Sequence, residues 1–192
     1  LGFNRSTCKK CKTKYWSVEN RTTCGEPECN DGYSFINNSP TKSKLSYIET
    51  WKKYSKHMKK LGYTPIKRYP VVARWRDDTW FTQASIYCFQ PYVVSGQVKP
   101  PANPLVMSQP SLRFNDIDNV GITGRHYSTH FHLGQHAFVS KEEYDQEKYL
   151  SDIISWIKDG AKIPLEEVQF HEDQWGGGGN LGTSLEYFSN GL

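Results

Sequence analysis

The chain has 192 residues, a formal net charge of +4, and 36% hydrophobic, 14% aromatic and 23% charged residues. That length can bury one respectable core, and the balance lies in the globular range, so disorder is excluded as the general state. No run approaches the ~18 to 20 apolar residues that span a bilayer, and residues 1–30 lack the apolar middle of a secretory signal, which points to a cytoplasmic protein with no membrane partner.

Residues 1–38 are dense in Cys, Lys, Asn and Gly without helical periodicity, and they read as a small loop-rich module that ends at NNSPT, 37–41. Residues 39–192 form the main domain. Cys8, Cys11, Cys24 and Cys29 follow C-x2-C-x12-C-x4-C, a spacing that can wrap four thiolates around a tetrahedral zinc ion. Two disulfides are the competing account. A reducing compartment disfavours them, and Lys9, Lys10, Lys12 and Lys14 would help stabilise thiolates. Four protein ligands leave no open position, so the expected role is structural. Cys88, alone among aromatic residues, reads as an ordinary buried thiol.

Leu45, Ile48, Trp51, Tyr54, Met58 and Leu61 recur every three or four residues and predict an amphipathic helix stopped by Gly62. The stretch 42–76 carries Lys52, Lys53, Lys56, Lys59, Lys60, Lys67, Arg68 and Arg74, which suits either a solvated helix face or a polyanion partner. Residues 63–75, YTPIKRYPVVARW, favour an extended strand that Pro65 and Pro70 confine to an edge. Short extended pieces joined by turns are expected over 91–110, ending at Pro110. Strands at 111–114 and 125–138 flank the turn-forming loop NDIDNVGITG and predict a long hairpin. Leu150, Ile153, Ile154 and Ile157 mark a second helix capped by Gly160, then a helical turn at PLEEV, then a final strand at 185–188. The fold class is α+β, an antiparallel sheet flanked by helices.

His126, His130, His132 and His136 are all even-numbered, so on one strand they share a face with Ser128 and Phe138. Neighbouring imidazoles can chelate a transition metal, yet the usual carboxylate or cysteine co-ligand is not obvious nearby, and a polar binding-site floor or partly buried hydrogen-bonding histidines is the competing reading. Arg113 lies on the opposing strand, where a fixed guanidinium can grip phosphate bidentately; taken alone it is a strand arginine. Gly176 to Gly179 lack the Lys-Ser/Thr ending of a phosphate loop and suit close backbone approach instead.

The run LRFNDIDNVGITGRHYSTHFHLGQ, 112–135, followed by HAF, resembles motif 2 of alanyl-tRNA synthetases, and YTPIKRYPVVARWRDD with its preceding helix resembles their motif 1. The archaeal branch also carries an amino-terminal cysteine module, a sequence similar to FQPYVVSGQVKPPANPLV, and a Trp before a glycine run. The resemblance spans residues 1–192. It implies an incomplete class II synthetase fold that activates alanine with ATP and Mg2+ to alanyl-adenylate and transfers it to tRNA-Ala. By their places in the motifs, Arg113 holds the α-phosphate and the alanine carboxylate, Asn115 and Asp116 order the loop near ATP, and His126 with Tyr127 contacts the nucleotide. Trp175 walls the alanine pocket, with His132 and Gly177 beside it. His130 and His132 stand where members of the family often carry Phe and Met.

Family members continue into a third motif, tRNA-recognition helices and an editing region. The chain, starting at Leu1 rather than Met, is therefore expected to be an amino-terminal fragment of a longer polypeptide, weak or inactive by itself. A noncatalytic tRNA-binding or regulatory paralogue is the alternative.

Overall fold

Helix α1, Tyr47–Lys60, begins where the sequence supplies a capping box: Ser46 Oγ accepts from Glu49 N–H and the Glu49 carboxylate accepts from Ser46 N–H. It ends at Leu61 and Gly62, the latter with φ +94, a left-handed stop that glycine adopts without a Cβ clash. Tyr54 and Met58 are buried, whereas Lys52, Lys53, Lys56, Lys59 and Lys60 are exposed, so the expected period and polarity are both present. Ile48 departs from it, being 58% exposed in the first turn. The computed structural model describes residues 1–30, 39, 41–122 and 126–189. Most of the boundary expected at 37–41 and the first residue of the strand expected at 125–138 lie outside them.

Two compact units are present. One comprises Leu45–Asp118 and Tyr127–Trp156, with α1, β3 (Thr64–Pro65), β4 (Leu105–Leu112), β5 (Thr129–His136) and α2 (Gln146–Ser155). Its sheet order is β3-β4-β5, and β4 and β5 form the expected antiparallel hairpin from Leu105↔His136 to Leu112↔Thr129. The short β3 lies at the edge as Pro65 requires, but it runs parallel to β4, so the sheet is mixed rather than purely antiparallel. Of 63–75, only these two residues join the ladder.

Strand β4 does not stop at Pro110 but passes through it. The reason lies in the pairing. Leu112 N–H donates to Thr82 and the Pro110 carbonyl accepts from Thr82 Oγ1, so even-numbered residues of β4 turn their backbone groups away from β5. At such a position the missing proline N–H removes no rung of the hairpin. Helix α2 is capped by Asp145, whose carboxylate accepts from Lys148 N–H, and it widens into a π-type turn over Trp156–Gly160. Tyr63 ties this unit together: its hydroxyl donates to Asp152 Oδ2 at 2.8 Å and accepts from Gln135 Nε2 at 2.6 Å.

The other unit comprises Leu1–Lys44, Asn119–His126 and Ile157–Leu192, and its described strands are β1 (Asn4–Thr7), β2 (Lys14–Ser17), β6 (Val168–Gly177) and β7 (Asn180–Ser189). They form an antiparallel sheet in the order β1-β2-β6-β7. The cysteine-bearing segment thus shares a sheet with the carboxy-terminal hairpin, with Tyr15 opposite His171. The strand expected at 185–188 is longer, and β6 has no counterpart among the predicted elements: its VQFHEDQWGG composition mixes polar and glycine residues without clean alternation. Gly178 and Gly179, with φ +59 and +84, make the two-residue turn joining β6 to β7, a geometry that requires left-handed backbone at both positions. No helix among the described residues is long and apolar enough to cross a membrane.

Candidate active site and cysteine centre

Hairpin register decides which side chains meet. Because Ser111 pairs with His130, Gln109 with His132 and Leu105 with His136, odd residues of β4 and even residues of β5 share one face of the sheet. Arg113, one residue beyond β4, continues that face: its N–H donates to the Ser128 carbonyl at 2.8 Å. The opposite face packs α1, where Tyr47 stacks on Phe131 at 3.7 Å between centroids and its hydroxyl accepts from Ser108 Oγ. The histidine face and the arginine therefore do share one surface, as the alternation implied for His130, His132 and His136.

Arg113 is exposed, with Nε donating to the Gln83 carbonyl at 3.0 Å. That bond sets the plane of the guanidinium, whose remaining donors lie on the two terminal nitrogens, the geometry for a bidentate grip on an anion. Burial, with Arg113 close by, holds His130 below its ordinary value. His132 is pushed down to about 4 by burial, then by His130 and Arg113, and His136 to about 3 by burial and His132. These rings are neutral near pH 7, so the cationic charge of this face is that of Arg113. His130 Nδ1 is buried without a hydrogen-bond partner among the described residues.

Asn115 and Asp116 are exposed in the loop after Arg113; Asp116 takes φ +55, a left-handed conformation that Asp tolerates, just before a 3-10 turn at Ile117–Asn119. Tyr127 is half exposed and meets His130 edge-on at 5.5 Å. His126, Trp175 and Gly177 belong to the other unit. Trp175 stands near the tip of the β6-β7 hairpin, 41% exposed and opposite Gly182, outside the buried core. A Cβ on Gly177 would lie 3.0 Å from Trp175 Cζ2, so glycine leaves room for the indole above the strand. Gly177, Gly178 and Gly179 are thereby explained locally, as space and as turn.

Residues that the sequence alone did not single out complete the face. Ser85 opens the 3-10 turn Ser85–Cys88; its N–H donates to His132 Nδ1 at 2.8 Å and its Oγ lies 2.7 Å from His136 Nε2. Gln109, fully buried, accepts from Tyr69 N–H and donates to the Tyr69 carbonyl. Gly134 was the available signal. A lone glycine inside a strand marks close approach of another chain segment, and here Ser85 occupies the space above it.

In the cysteine cluster the four Sγ atoms lie within 4.8 Å of one another, with Cys8 to Cys29 at 3.7 Å and Cys11 to Cys24 at 3.6 Å. Four ligands at about 2.3 Å around a tetrahedral ion stand roughly 3.8 Å apart, so the donor set fits a metal ion. Cys8, Cys24 and Cys29 are buried and all four are free thiols rather than disulfides. Burial raises the Cys8 thiol, but backbone N–H groups of Cys11, Cys24 and Lys10 outweigh it and bring the group down to about 6. Lys12, at φ +65, turns the chain after Cys11 so that its N–H donates to the Cys8 carbonyl. Among the described residues, this is the one group of three or more Cys, His, Asp or Glu ligands gathered for a metal, and the histidine face forms no such group.

The chain is similar to known proteins along its whole length. The family model "tRNA synthetases class II (A)" matches residues 49–187. An alanine–tRNA ligase of Methanocella arvoryzae is 48% identical over the whole chain, and those of Methanothermobacter thermautotrophicus and Thermoplasma acidophilum are 44% and 43% identical over the whole chain. The chain spans 22% of the length of each of these relatives. With the sheet hairpin, its arginine and the family match over residues 49–187, the chain belongs to the class II (A) tRNA synthetases.

Proposed function

We propose that this chain is the part of an alanine–tRNA ligase that holds alanine and the ATP α-phosphate, within a longer cytoplasmic polypeptide supplying the third motif, tRNA recognition and editing. The observation that carries this reading is whole-chain identity of 48% to a relative named alanine–tRNA ligase. In the reaction, a carboxylate oxygen of alanine attacks the α-phosphorus of ATP, the bond to pyrophosphate breaks, and alanyl-adenylate remains for transfer to the 3′ end of tRNA-Ala. Little covalent chemistry falls to the protein. What it supplies is in-line placement and charge at the phosphorus.

Arg113 is the group for that task, its plane set by the Gln83 carbonyl and its neighbours kept neutral. Asn115 and Asp116 lie in the loop that would order near ATP, and His126 and Tyr127 would contact the nucleotide. His132, Trp175 and Gly177 would bound the alanine, where a rigid indole excludes larger side chains more effectively than it rejects smaller ones. Mg2+ enters with ATP and offsets its phosphate charge. Cys8, Cys11, Cys24 and Cys29 would hold zinc in a structural role, tying the β1-β2 hairpin to the loop that bears Cys24 and Cys29.

The test is alanine-dependent ATP–pyrophosphate exchange by the full-length polypeptide against a panel of amino acids. Arg113→Ala is expected to lower it by about 100-fold or more, the scale of losing one charge-stabilising donor group. Exchange unchanged in that variant, or no alanine preference, refutes the assignment.

A further inference from the structure

His132 lies between His130 and His136 on the face that Arg113 continues, and its ring is held from outside the hairpin. Ser85 N–H points at His132 Nδ1 across 2.8 Å. A main-chain N–H can only donate, so Nδ1 is the unprotonated nitrogen and the neutral ring carries its proton on Nε2. Ser85 is fully buried, and its place as first residue of the 3-10 turn leaves its N–H without a partner inside the turn. The same residue engages His136 through Oγ, and Gly134, between the two histidines on β5, has no Cβ to push it away. One serine thus reads two histidines on one strand face.

We infer that Ser85 is a positioning residue that fixes His132 as a neutral Nε2–H donor, directed at an anionic oxygen of the ligand Arg113 binds. The inference rests on the reading that the Arg113 face holds alanine and ATP. Its physical sense is charge economy on a crowded face. A second cation beside Arg113 would repel it, whereas a neutral ring adds a hydrogen-bond donor to the same anion without that repulsion. His130 and His136, the other titratable rings on the face, are held neutral too, and burial keeps His132 uncharged.

Nitrogen-15 NMR of histidine-labelled protein reports the tautomer directly, through the different couplings of Nδ1 and Nε2 to the ring protons. The expected result is His132 as the Nε2–H tautomer, unchanged in Ser85→Ala, which keeps the main-chain N–H. A Nδ1–H tautomer, or scrambling in Ser85→Ala, overturns the assignment to that N–H. In the full-length polypeptide, His132→Phe is expected to raise KM for alanine in the exchange assay about ten-fold or more, and His132→Gln, which keeps an N–H donor near the Nε2 position, to recover most of it. If His132→Phe matches the parent while Arg113→Ala abolishes exchange, the donor role is wrong and the ligase reading stands. If Arg113→Ala leaves exchange intact, the ligase reading falls and takes the ligand of His132 with it.

Discussion

Gly134→Ala probes the contact on which the histidine face depends. An added Cβ would stand 2.4 Å from Ser85 Oγ and 2.8 Å from both Ser85 Cβ and His136 Nε2. Rotating the serine hydroxyl relieves the first overlap but not the second, because Ser85 Cβ moves only with its backbone. The 3-10 turn at Ser85–Cys88 must therefore shift by several tenths of an ångström, straining the bonds to His132 and His136. Overpacking of this kind costs about 1 to 3 kcal/mol, and loss of one buried hydrogen bond roughly another 1 kcal/mol. Replacing glycine returns about 0.5 to 1 kcal/mol through the unfolded chain, leaving a net loss of roughly 1 to 3 kcal/mol. For a chain of this size that lowers Tm by about 3 to 10 °C. Gly182→Ala is the control, since nothing lies within 4 Å of its added Cβ. Thermal unfolding followed by circular dichroism compares the two. A Gly134→Ala protein that melts within 1 °C (on the order of the control's change) would show that the face yields freely and that the close approach of Ser85 is not constrained.

Zinc analysis of purified protein should find one ion per chain, lost in Cys8→Ser or Cys24→Ser and retained in Cys88→Ser, whose thiol lies outside the cluster; equal zinc in all three variants rules out the cysteine centre. Because the ligands are thiolates, the apparent affinity should fall as pH is lowered, measured by competition with a chelator. Lys12→Gly should stabilise the zinc-loaded protein by roughly 0.5 kcal/mol, since relief of about 1 to 2 kcal/mol at φ +65 is partly offset by about 0.5 to 1 kcal/mol of glycine's extra freedom in the unfolded chain; a lower Tm contradicts it. His132 is pushed down from 6.5 to about 4, so the folded state binds its proton less readily than the unfolded chain. Its contribution is therefore present above pH 6.5 and is lost progressively as pH falls toward 4, on the order of 3 kcal/mol in full. Urea midpoints at pH 7 and pH 5 should differ less in His132→Phe than in the parent, and equal differences refute the burial of this ring.

Periodicity and capping were enough for α1, α2 and the existence of the β4-β5 hairpin, because burial of one face and satisfaction of helix ends are written in local residue order. Cysteine spacing likewise announced the cluster of four thiols, since loop length limits which of them can converge. The order of residues in the motif 2 run puts Arg113 beside the loop of the hairpin, where its N–H donates to the Ser128 carbonyl. Other features depended on residues far apart in the chain. Pro110 sits inside β4 only because Thr82 receives the backbone groups turned away from β5. Strand β6, with its weak alternation, exists through pairing with β2 and β7, and no window of its own sequence contains those partners. Ser85 meets His132 and His136 across 47 and 51 residues. The sequence by itself determined which residue types were available for the candidate site and where the family likeness ran. Tertiary structure decided which ring nitrogen of His132 accepts, because a tautomer is set by the donor opposite it, and that donor is a main-chain N–H common to every residue except proline.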